Sequence, residues 1–198
     1  MANGIIIIDK PAGWTSMDVC AKLRGILKTK KVGHAGTLDP MATGVLPVFV
    51  GRATRGVEFF EHAEKTYDTV LLLGRTTDTQ DVTGTILAEK AVHLSPADIE
   101  KVLPRFRGDI LQVPPMYSAL KVNGKKLYEL ARKGQEVERQ PRPITVFELT
   151  NLGFDGTRLS LRVKCSKGTY IRTLCQDIGE ALGCGGCMEA LRRVRAGE

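Results

Sequence analysis

A glycine-rich segment carries one carboxylate that could act as a reactive group. The segment is Gly33-His34-Ala35-Gly36-Thr37-Leu38-Asp39-Pro40-Met41-Ala42-Thr43-Gly44. Glycines let a backbone approach a ligand closely, and Pro40 restricts the residue that precedes it. Neither glycine pattern that cradles phosphates, G-x-x-x-x-G-K-[ST] or G-x-G-x-x-G, is present. The segment therefore predicts either a reactive carboxylate held at a fixed point, at Asp39, or an Asx-turn or helix cap made by the same side chain.

A second pattern with chemical potential is the pair Cys184 and Cys187, whose spacing is that of half a zinc site. A structural zinc ion needs four ligands. Cys165 and Cys175 are ten residues apart and the three histidines are scattered, so we predict no metal ion and interpret the pair as small residues at a helix end. The odd count of five cysteines indicates free thiols in a reducing compartment.

The elements that must position Asp39 can be predicted from hydrophobic patterning. The β-branched run Ile5–Ile8 predicts a buried strand that ends at the turn Asp9-Lys10-Pro11. A helix capped by Thr15 or Ser16 should follow, and Val45–Val50 predicts a central strand. The apolar stripe expected on the helix consists of Val19, Leu23, Ile26 and Leu27.

The later elements suggest the fold class. We predict a buried strand at Val70–Leu73, a polar loop at Thr76–Gly84, a helix from Ser95-Pro96, a turn at Asn123-Gly124, a basic helix closed by Gly134, a half-buried strand at Leu159–Cys165, and an amphipathic helix from Ile171 to Gly183. Strands come in adjacent runs without regular alternation with helices. The pattern therefore predicts an α+β fold, a mixed and mostly antiparallel central sheet with flanking helices.

The charge balance points to a polyanionic partner. The chain has 29 Lys and Arg against 22 Asp and Glu, a formal net charge of +7. Basic side chains gain free energy by releasing counterions from phosphates, although an unpartnered basic surface would give the same count. One basic group is Lys22, Arg24, Lys28, Lys30 and Lys31, and the other is Lys121, Lys125, Lys126, Arg132 and Lys133. No apolar run is long enough to cross a membrane, so we expect a cytoplasmic protein.

Several segments together resemble the TruB family of tRNA pseudouridine synthases. The segment from Gly33 to Gly44 is similar to the family's signature. The others are Ile8-Asp9-Lys10-Pro11 with Gly13 and Thr15-Ser16, Lys65-Thr66-Tyr67, Leu73-Gly74-Arg75-Thr76-Thr77-Asp78-Thr79, Met116-Tyr117-Ser118-Ala119-Leu120-Lys121, Arg142-Pro143-Ile144, and Cys165-Ser166-Lys167-Gly168-Thr169-Tyr170-Ile171-Arg172. They occur in the family's order over nearly the whole chain.

The resemblance implies the pseudouridine synthase fold and the isomerisation of uridine 55 in the tRNA T loop to pseudouridine. It implies base flipping and an aspartate nucleophile, with no cofactor and no metal. The implied partner is the T-arm stem-loop of tRNA, with no membrane and no required protein partner, and the chain is expected to be a monomer. Whether the aspartate attacks the sugar or first assists loss of a sugar proton stays open.

Roles for individual residues follow from the same resemblance. Asp39, Tyr67 and Arg172 match the catalytic aspartate, the stacking tyrosine that can transfer a proton, and the arginine that pairs with the aspartate. Tyr170 and Leu191 match the uridine pocket, and His34 matches the histidine that fills the space left by the flipped base. Lys10 is placed among the substrate-binding residues, as support for the loop or for a phosphate. The second basic group falls in the family's RNA-gripping thumb, at about residues 112–145.

One departure and two alternatives remain. Family members usually continue into a small RNA-binding domain of the PUA type, and we expect residues 1–198 to be a catalytic domain without it. One alternative is the RNA-guided relative that modifies ribosomal RNA within a larger particle, although Arg75-Thr76-Thr77-Asp78-Thr79 resembles the stand-alone type. The other is a binding module or RNA chaperone without catalysis, against which the presence of Asp39, Tyr67 and Arg172 argues.

Overall fold

The computed structural model of the protein describes residues 2–122 and 124–197. The strands are β1 (Gly4–Lys10), β2 (Val32–His34), β3 (Thr43–Val50), β4 (Lys65–Leu73), β5 (Arg75–Thr77), β6 (Ile86–Glu89), β7 (Gly108–Gln112), β8 (Lys121–Val122), β9 (Lys125–Lys126), β10 (Arg142–Phe154), β11 (Arg158–Cys165) and β12 (Gly186–Ala196). The α-helices are α1 (Ser16–Leu27), α2 (Val57–Glu61), α3 (Pro96–Val102), α4 (Leu127–Ala131) and α5 (Ile171–Ala181), and 3-10 helices span Gly51–Gly56 and Leu103–Phe106.

An eight-stranded sheet organises the molecule. Its order is β1-β3-β12-β4-β11-β10-β7, and β2 also pairs with β3. The short contact between β3 and β12 is parallel, and the other neighbours are antiparallel. The prediction of an α+β fold on a mixed, mostly antiparallel sheet is confirmed.

Strand β1 lies at an edge of the sheet. A strand forms at Ile5–Ile8 as predicted, but the prediction that this strand is buried is wrong. Ile5 is 47% exposed and Ile7 is 60% exposed, whereas Ile6 and Ile8 pack against the cluster that contains Val19 and Leu46. Successive side chains of a strand face opposite sides. Four isoleucines in a row conceal this alternation, so the covered face could not be predicted from the residue types.

Helix α1 begins at the predicted cap. The Thr15 side chain accepts a hydrogen bond from the Asp18 backbone, and the Asp18 side chain accepts one from the Thr15 backbone, which is a capping box. The predicted apolar stripe is only partly right, since Val19 is buried but Ile26 is 63% exposed. Helix α5 forms as predicted and packs against β12, with Leu174, Cys175 and Ile178 buried.

The strand β12 was not predicted, although it lies between β3 and β4 in the middle of the sheet. Its ladder with β4 contains two irregularities, and three arginines follow Leu191 within it. The predicted helix end at Cys184 and Cys187 is therefore right only for Cys184, which follows α5, while Cys187 lies in the strand. The predicted polar loop at Thr76–Gly84 also contains the end of β5, which pairs with β6.

Within the described residues, the segment between β7 and β10 contributes no strand to the main sheet. It holds the two-residue strands β8 and β9 and the five-residue helix α4, and Gly134 follows with φ +68°. The basic helix predicted here is thus short. The predicted turn involves Asn123, which lies outside the described residues. Among the helices described, none is both long enough and apolar enough to span a membrane.

Candidate active site

Two side chains near the start of the chain make hydrogen bonds to the loop that carries Asp39. The Ser16 hydroxyl accepts a hydrogen bond from the Leu38 backbone N–H at 3.0 Å. Lys10 is fully buried, and its Nζ donates to the carbonyl oxygens of Pro11 (2.8 Å), Trp14 (2.6 Å) and Pro40 (3.2 Å). Lys10 therefore supports the loop from the protein interior. Its ammonium donates to backbone carbonyls and is not free to contact a phosphate.

The Asp39 carboxylate forms an ion pair with the Arg172 guanidinium. Arg172 Nε lies 2.9 Å from Asp39 Oδ2, and Arg172 Nη2 lies 3.4 Å from Asp39 Oδ1. The arginine side chain is 7% exposed and the aspartate side chain 36% exposed. Within the described residues no neighbouring backbone N–H donates to this carboxylate, so the Asx-turn alternative is wrong. A planar fork fixes both the charge and the orientation of a carboxylate.

Arg172 is itself held by three further groups. Its Nη1 donates to the Thr79 carbonyl at 3.1 Å, and its Nη2 donates to the Tyr117 carbonyl at 2.8 Å. The Asp81 carboxylate lies 4.0 Å from Nε and is itself 8% exposed at the side chain. The guanidinium therefore joins Asp39 to two segments that are distant in sequence, and the Asp39 side chain stays partly exposed.

Tyr67 is buried in the central strand β4, within the main hydrophobic cluster that also contains Leu38 and Leu191. Burial raises the pKa of its phenol, and the nearby Arg193 guanidinium opposes this. The negative charge of Asp39 adds a smaller upward contribution, so the phenol and the carboxylate are electrostatic neighbours. Tyr67 stays protonated at neutral pH, with a hydroxyl that can give or relay a proton.

Tyr170 and Leu191 complete the apolar side of the site. The Gln112 side-chain amide makes two hydrogen bonds with the Tyr170 backbone, accepting from its N–H at 2.8 Å and donating to its carbonyl at 3.1 Å. Burial raises the pKa of the Tyr170 phenol, and the nearby charge of Arg172 opposes this. Leu191 lies opposite Thr69 in the ladder between β12 and β4 and is 8% exposed.

His34 ends β2 at the beginning of the glycine-rich loop. Burial and, to a smaller extent, the charge of Arg193 lower the pKa of its imidazole, which is therefore neutral near pH 7. Its Nδ1 is buried and has no hydrogen-bond partner among the described residues. The histidine thus sits beside the loop with a polar atom that nothing in the described protein satisfies.

The second basic group lies on the segment between β7 and β10. Lys121, Lys125, Arg132 and Lys133 are exposed. Lys126 and Arg132 both lie over the Tyr128 ring, at 5.5 Å and 5.3 Å from its centroid. This arrangement makes a cationic surface with an aromatic centre, linked to the site through the Tyr117 carbonyl that Arg172 contacts.

Three residues of the site were missed by the sequence analysis. Asp81 and Gln112 have no distinguishing local pattern, because their partners lie about 90 and 58 positions away along the chain. Arg193 looks like an exposed member of a basic strand but is 1% exposed. The described residues contain no cluster of three or more His, Cys, Asp or Glu side chains placed to hold a metal ion.

The arrangement brings together a partly exposed carboxylate, a buried guanidinium that pairs with it and orients it, and a protonated phenol in an apolar pocket. A carboxylate placed in this way can stabilise positive charge developing at a carbon atom or accept a proton, and an aromatic ring can offer a flat apolar surface to a ligand.

Two family models match the chain. Residues 24–171 match the TruB family pseudouridylate synthase N-terminal domain. Residues 172–198 match the tRNA pseudouridylate synthase B C-terminal domain. The boundary falls at Arg172, so the second match begins with the partner of Asp39 and includes most of α5 and all of β12.

Curated relatives are similar over almost the entire chain. A protein of Pseudomonas fluorescens named tRNA pseudouridine synthase B is 53% identical over 195 residues, covering 98% of this chain and 64% of the relative. A protein of Dechloromonas aromatica with the same name is 52% identical over 196 residues, covering 99% of this chain and 66% of the relative. The chain thus spans a little less than two thirds of the length of these relatives.

Solved structures share the architecture. A Cbf5-Nop10-Gar1 complex contains a chain that is 35% identical with a TM-score of 0.77, covering 98% of this chain and 48% of that one. A chain of an H/ACA ribonucleoprotein bound to a substrate RNA containing 2'-deoxyuridine is 32% identical with a TM-score of 0.73, covering 98% of this chain and 47% of that one.

Proposed function

The chain belongs to the TruB family of pseudouridylate synthases, and from this premise we propose that it isomerises uridine 55 in the T loop of tRNA to pseudouridine. The observation that carries the proposal is the Asp39–Arg172 pair at 2.9 Å beside the buried phenol of Tyr67. It supplies an oriented carboxylate for the sugar and an aromatic surface for the base. The names of the curated relatives support tRNA as the substrate.

In the proposed reaction the target uridine leaves the T loop and enters the pocket. Unstacking costs a few kcal/mol, which His34 offsets in part by taking the vacated space. The base stacks on Tyr67 between Tyr170 and Leu191. The bond between C1′ and N1 breaks, the base turns, C5 joins C1′, the C5 proton is lost and N1 gains a proton. Asp39 either bonds to C1′ or removes a sugar proton, and the same geometry serves both routes.

The basic surface around Tyr128 supplies phosphate contacts in this proposal. Such contacts position an RNA without reading its bases. The exposed Lys121, Lys125, Arg132 and Lys133 can follow the backbone of a stem, and Lys126 is half-buried against the ring. Because the segment also carries the Tyr117 carbonyl that holds Arg172, RNA bound here would lie next to the reactive pair.

A second candidate is an RNA-guided enzyme, which the TM-scores of 0.73 and 0.77 with the ribonucleoprotein structures favour. Sequence identity favours the stand-alone enzyme, since it is 52–53% with proteins named tRNA pseudouridine synthase B and 32–35% with those chains. The proposal therefore requires no guide RNA and no protein partner.

The experiment that tests the proposal is tritium release from an unmodified T-arm hairpin labelled at C5 of uridine. The label is freed when C5 becomes bonded to C1′, so release to water reports turnover. We expect release with the purified chain alone, in a buffer without cofactors or guide RNA. If label stays in the RNA alone but is released after guide RNA and protein partners are added, the RNA-guided alternative is right; binding without any release would leave only an RNA-binding module.

Substitutions at Tyr67 separate stacking from proton transfer. Tyr67→Phe keeps the ring and removes the hydroxyl, so we expect a loss of turnover of about 100-fold or more with hairpin binding retained, which is the size usual for a positioned acid or base. Tyr67→Leu removes both and should weaken binding as well. Single-turnover tritium release and hairpin Kd measure the two effects. A normal rate for Tyr67→Phe would leave stacking as the role of this residue.

Binding of the hairpin should depend steeply on salt. Each phosphate neutralised on a duplex contributes about 0.9 to the slope of log K against log salt concentration, so four or five contacts predict a slope of about −4. Replacing Lys121 and Lys125 together by Gln should make the slope shallower by about two units. A matched replacement of Lys22 in α1 and of Lys28, which caps the C-terminal end of that helix, gives the comparison. Equal slopes for the parent and the first double variant would remove this surface from the RNA interface.

A further inference from the structure

Arg193 is a buried cation where three strands meet. It lies in β12 and is 1% exposed. In the ladder it stands opposite Tyr67 of β4 on one side and Gly44 of β3 on the other. The same residue therefore touches the strand that carries the phenol and the strand that leaves the aspartate loop.

The guanidinium is bonded to the backbone of that loop and of the strand that follows it. Its Nε donates to the Val45 carbonyl at 2.7 Å, and its Nη2 donates to the Gly36 carbonyl at 3.0 Å. A Cβ atom at Gly36 would lie 3.1 Å from Nη1, so the guanidinium packs directly against the turn of the loop, where φ is +76°. Gly36 precedes Asp39 by three residues, so Arg193 holds the loop at its turn while Arg172 holds the Asp39 carboxylate.

The charge of Arg193 has no carboxylate partner within 4.0 Å among the described residues. An isolated buried charge is costly, and carbonyl acceptors offset the cost only in part. A neutral side chain of similar length would be cheaper if the strand junction were only structural. The charge instead faces two groups of the site, Tyr67 and His34.

The groups around the Tyr67 phenol come from several elements. Burial raises its pKa, the nearby charge of Arg193 lowers it, and Cys165 of β11 and Asp39 of the loop raise it slightly. Arg193 is the cation among these contributions. Removing it would leave the phenol in an apolar pocket without a neighbouring positive charge.

Building on the proposed function, we propose that Arg193 is a positioning residue of the reaction, which fixes the aspartate loop against β12 and keeps a positive charge beside the strand position of Tyr67. Its two carbonyl contacts set the position of the loop, and its place opposite Tyr67 in the ladder sets the position of its charge relative to the phenol. A misplacement of reacting groups by 1 Å costs about 100-fold in rate. Loss of this brace should therefore lower the chemical rate far more than RNA affinity.

The test compares three variants. Arg193→Met keeps the length and removes the charge and the donors. Arg193→Lys keeps the charge, but a single ammonium cannot serve the Gly36 and Val45 carbonyls in the same geometry. The control is Arg192→Met, whose side chain is 49% exposed and pairs with Asp9. Measured quantities are single-turnover tritium release, hairpin Kd, thermal unfolding, and the pH titration of Tyr67 in RNA-free protein, taken as the absorbance difference between each protein and its Tyr67→Phe counterpart.

For Arg193→Met we expect a rate reduced about 100-fold, a hairpin Kd within about threefold of the parent, and a Tyr67 titration displaced to higher pH. Arg193→Lys should keep the titration near that of the parent and recover only part of the rate. Arg192→Met should match the parent in all three.

The proposal is overturned if a folded Arg193→Met turns over at the parent rate, or if the Tyr67 titration is the same in both proteins. Should Arg193→Met fail to fold, Arg193→Lys decides, since a parent-like rate with lysine would exclude the brace. The titration needs neither RNA nor turnover. A parent chain that releases no tritium would contradict the proposed function, whereas an unmoved titration would contradict the role of Arg193.

Discussion

Asp39→Asn should abolish turnover, with a rate at least about 1,000-fold below the parent, equivalent to about 4 kcal/mol of transition-state stabilisation. Asparagine has nearly the same size and can still occupy the loop, but it lacks the charge and the nucleophilic oxygen. Arg172 would then face a neutral amide at the 2.9 Å position. Hairpin affinity should stay within about threefold, because the side chain offers little contact area to RNA.

The measurement for Asp39→Asn is single-turnover tritium release over several days of incubation, with hairpin Kd measured in parallel. Asp68→Asn is the matched control, since Asp68 is on β4 next to Tyr67 but pairs with Arg162 on the exposed face. That variant should turn over normally. A rate for Asp39→Asn within tenfold of the parent would exclude Asp39 as the essential carboxylate.

Arg172→Lys should have the second largest effect, a loss of about 100-fold or more in rate. Lysine keeps the charge but loses the planar fork. The guanidinium contacts both oxygens of Asp39 and donates to the carbonyls of Thr79 and Tyr117, four acceptors that one ammonium cannot serve in the same geometry. Asp39 would keep a cation nearby and lose its orientation.

The control for this substitution is Arg162→Lys, which changes an exposed arginine paired with Asp68. Exposed ion pairs contribute about 0–1 kcal/mol, so its rate and thermal unfolding should hardly change. Both variants are compared by tritium release and by thermal unfolding, which separates lost chemistry from lost stability. A folded Arg172→Lys with a parent-like rate would mean that charge alone suffices at this position.

The loop and its carboxylate were predictable from sequence because their signals are local. Glycines and a proline around Asp39 mark a fixed turn, Thr15 with Asp18 marks a helix start, and the spacing of apolar residues after Ile171 marks α5. The family resemblance added the roles of Tyr67 and Arg172. Each of these features depends on a few neighbouring residues, which a single sequence contains in full.

The features that escaped prediction depend on pairing across the fold. The isoleucines of β1 are all apolar, so their alternation between a covered and an exposed face left no trace in the sequence. The arginines of β12 suggest a solvated surface, yet Arg193 is buried between β3 and β4. The Val45 carbonyl of β3 and the Gly36 carbonyl of the loop supply its acceptors. Gln112 acts through the backbone of Tyr170, and hydrogen bonds to a distant backbone have no sequence pattern.

The site unites these local and distant features in one arrangement. Lys10 and Ser16 hold the loop from beneath, Arg172 holds the Asp39 carboxylate, and Arg193 holds the turn at Gly36. The carboxylate is therefore preorganised before RNA binds, and little reorganisation is left for the reaction itself.

Position-resolved mapping of pseudouridine in an unmodified full-length tRNA transcript tests the central claim most directly. The purified chain is incubated with the transcript alone, and every uridine is then examined for conversion. The account predicts conversion of uridine 55 and of no other position, by the parent chain and not by Asp39→Asn. Conversion at other uridines, or none at position 55 while the folded chain binds the transcript, would contradict it.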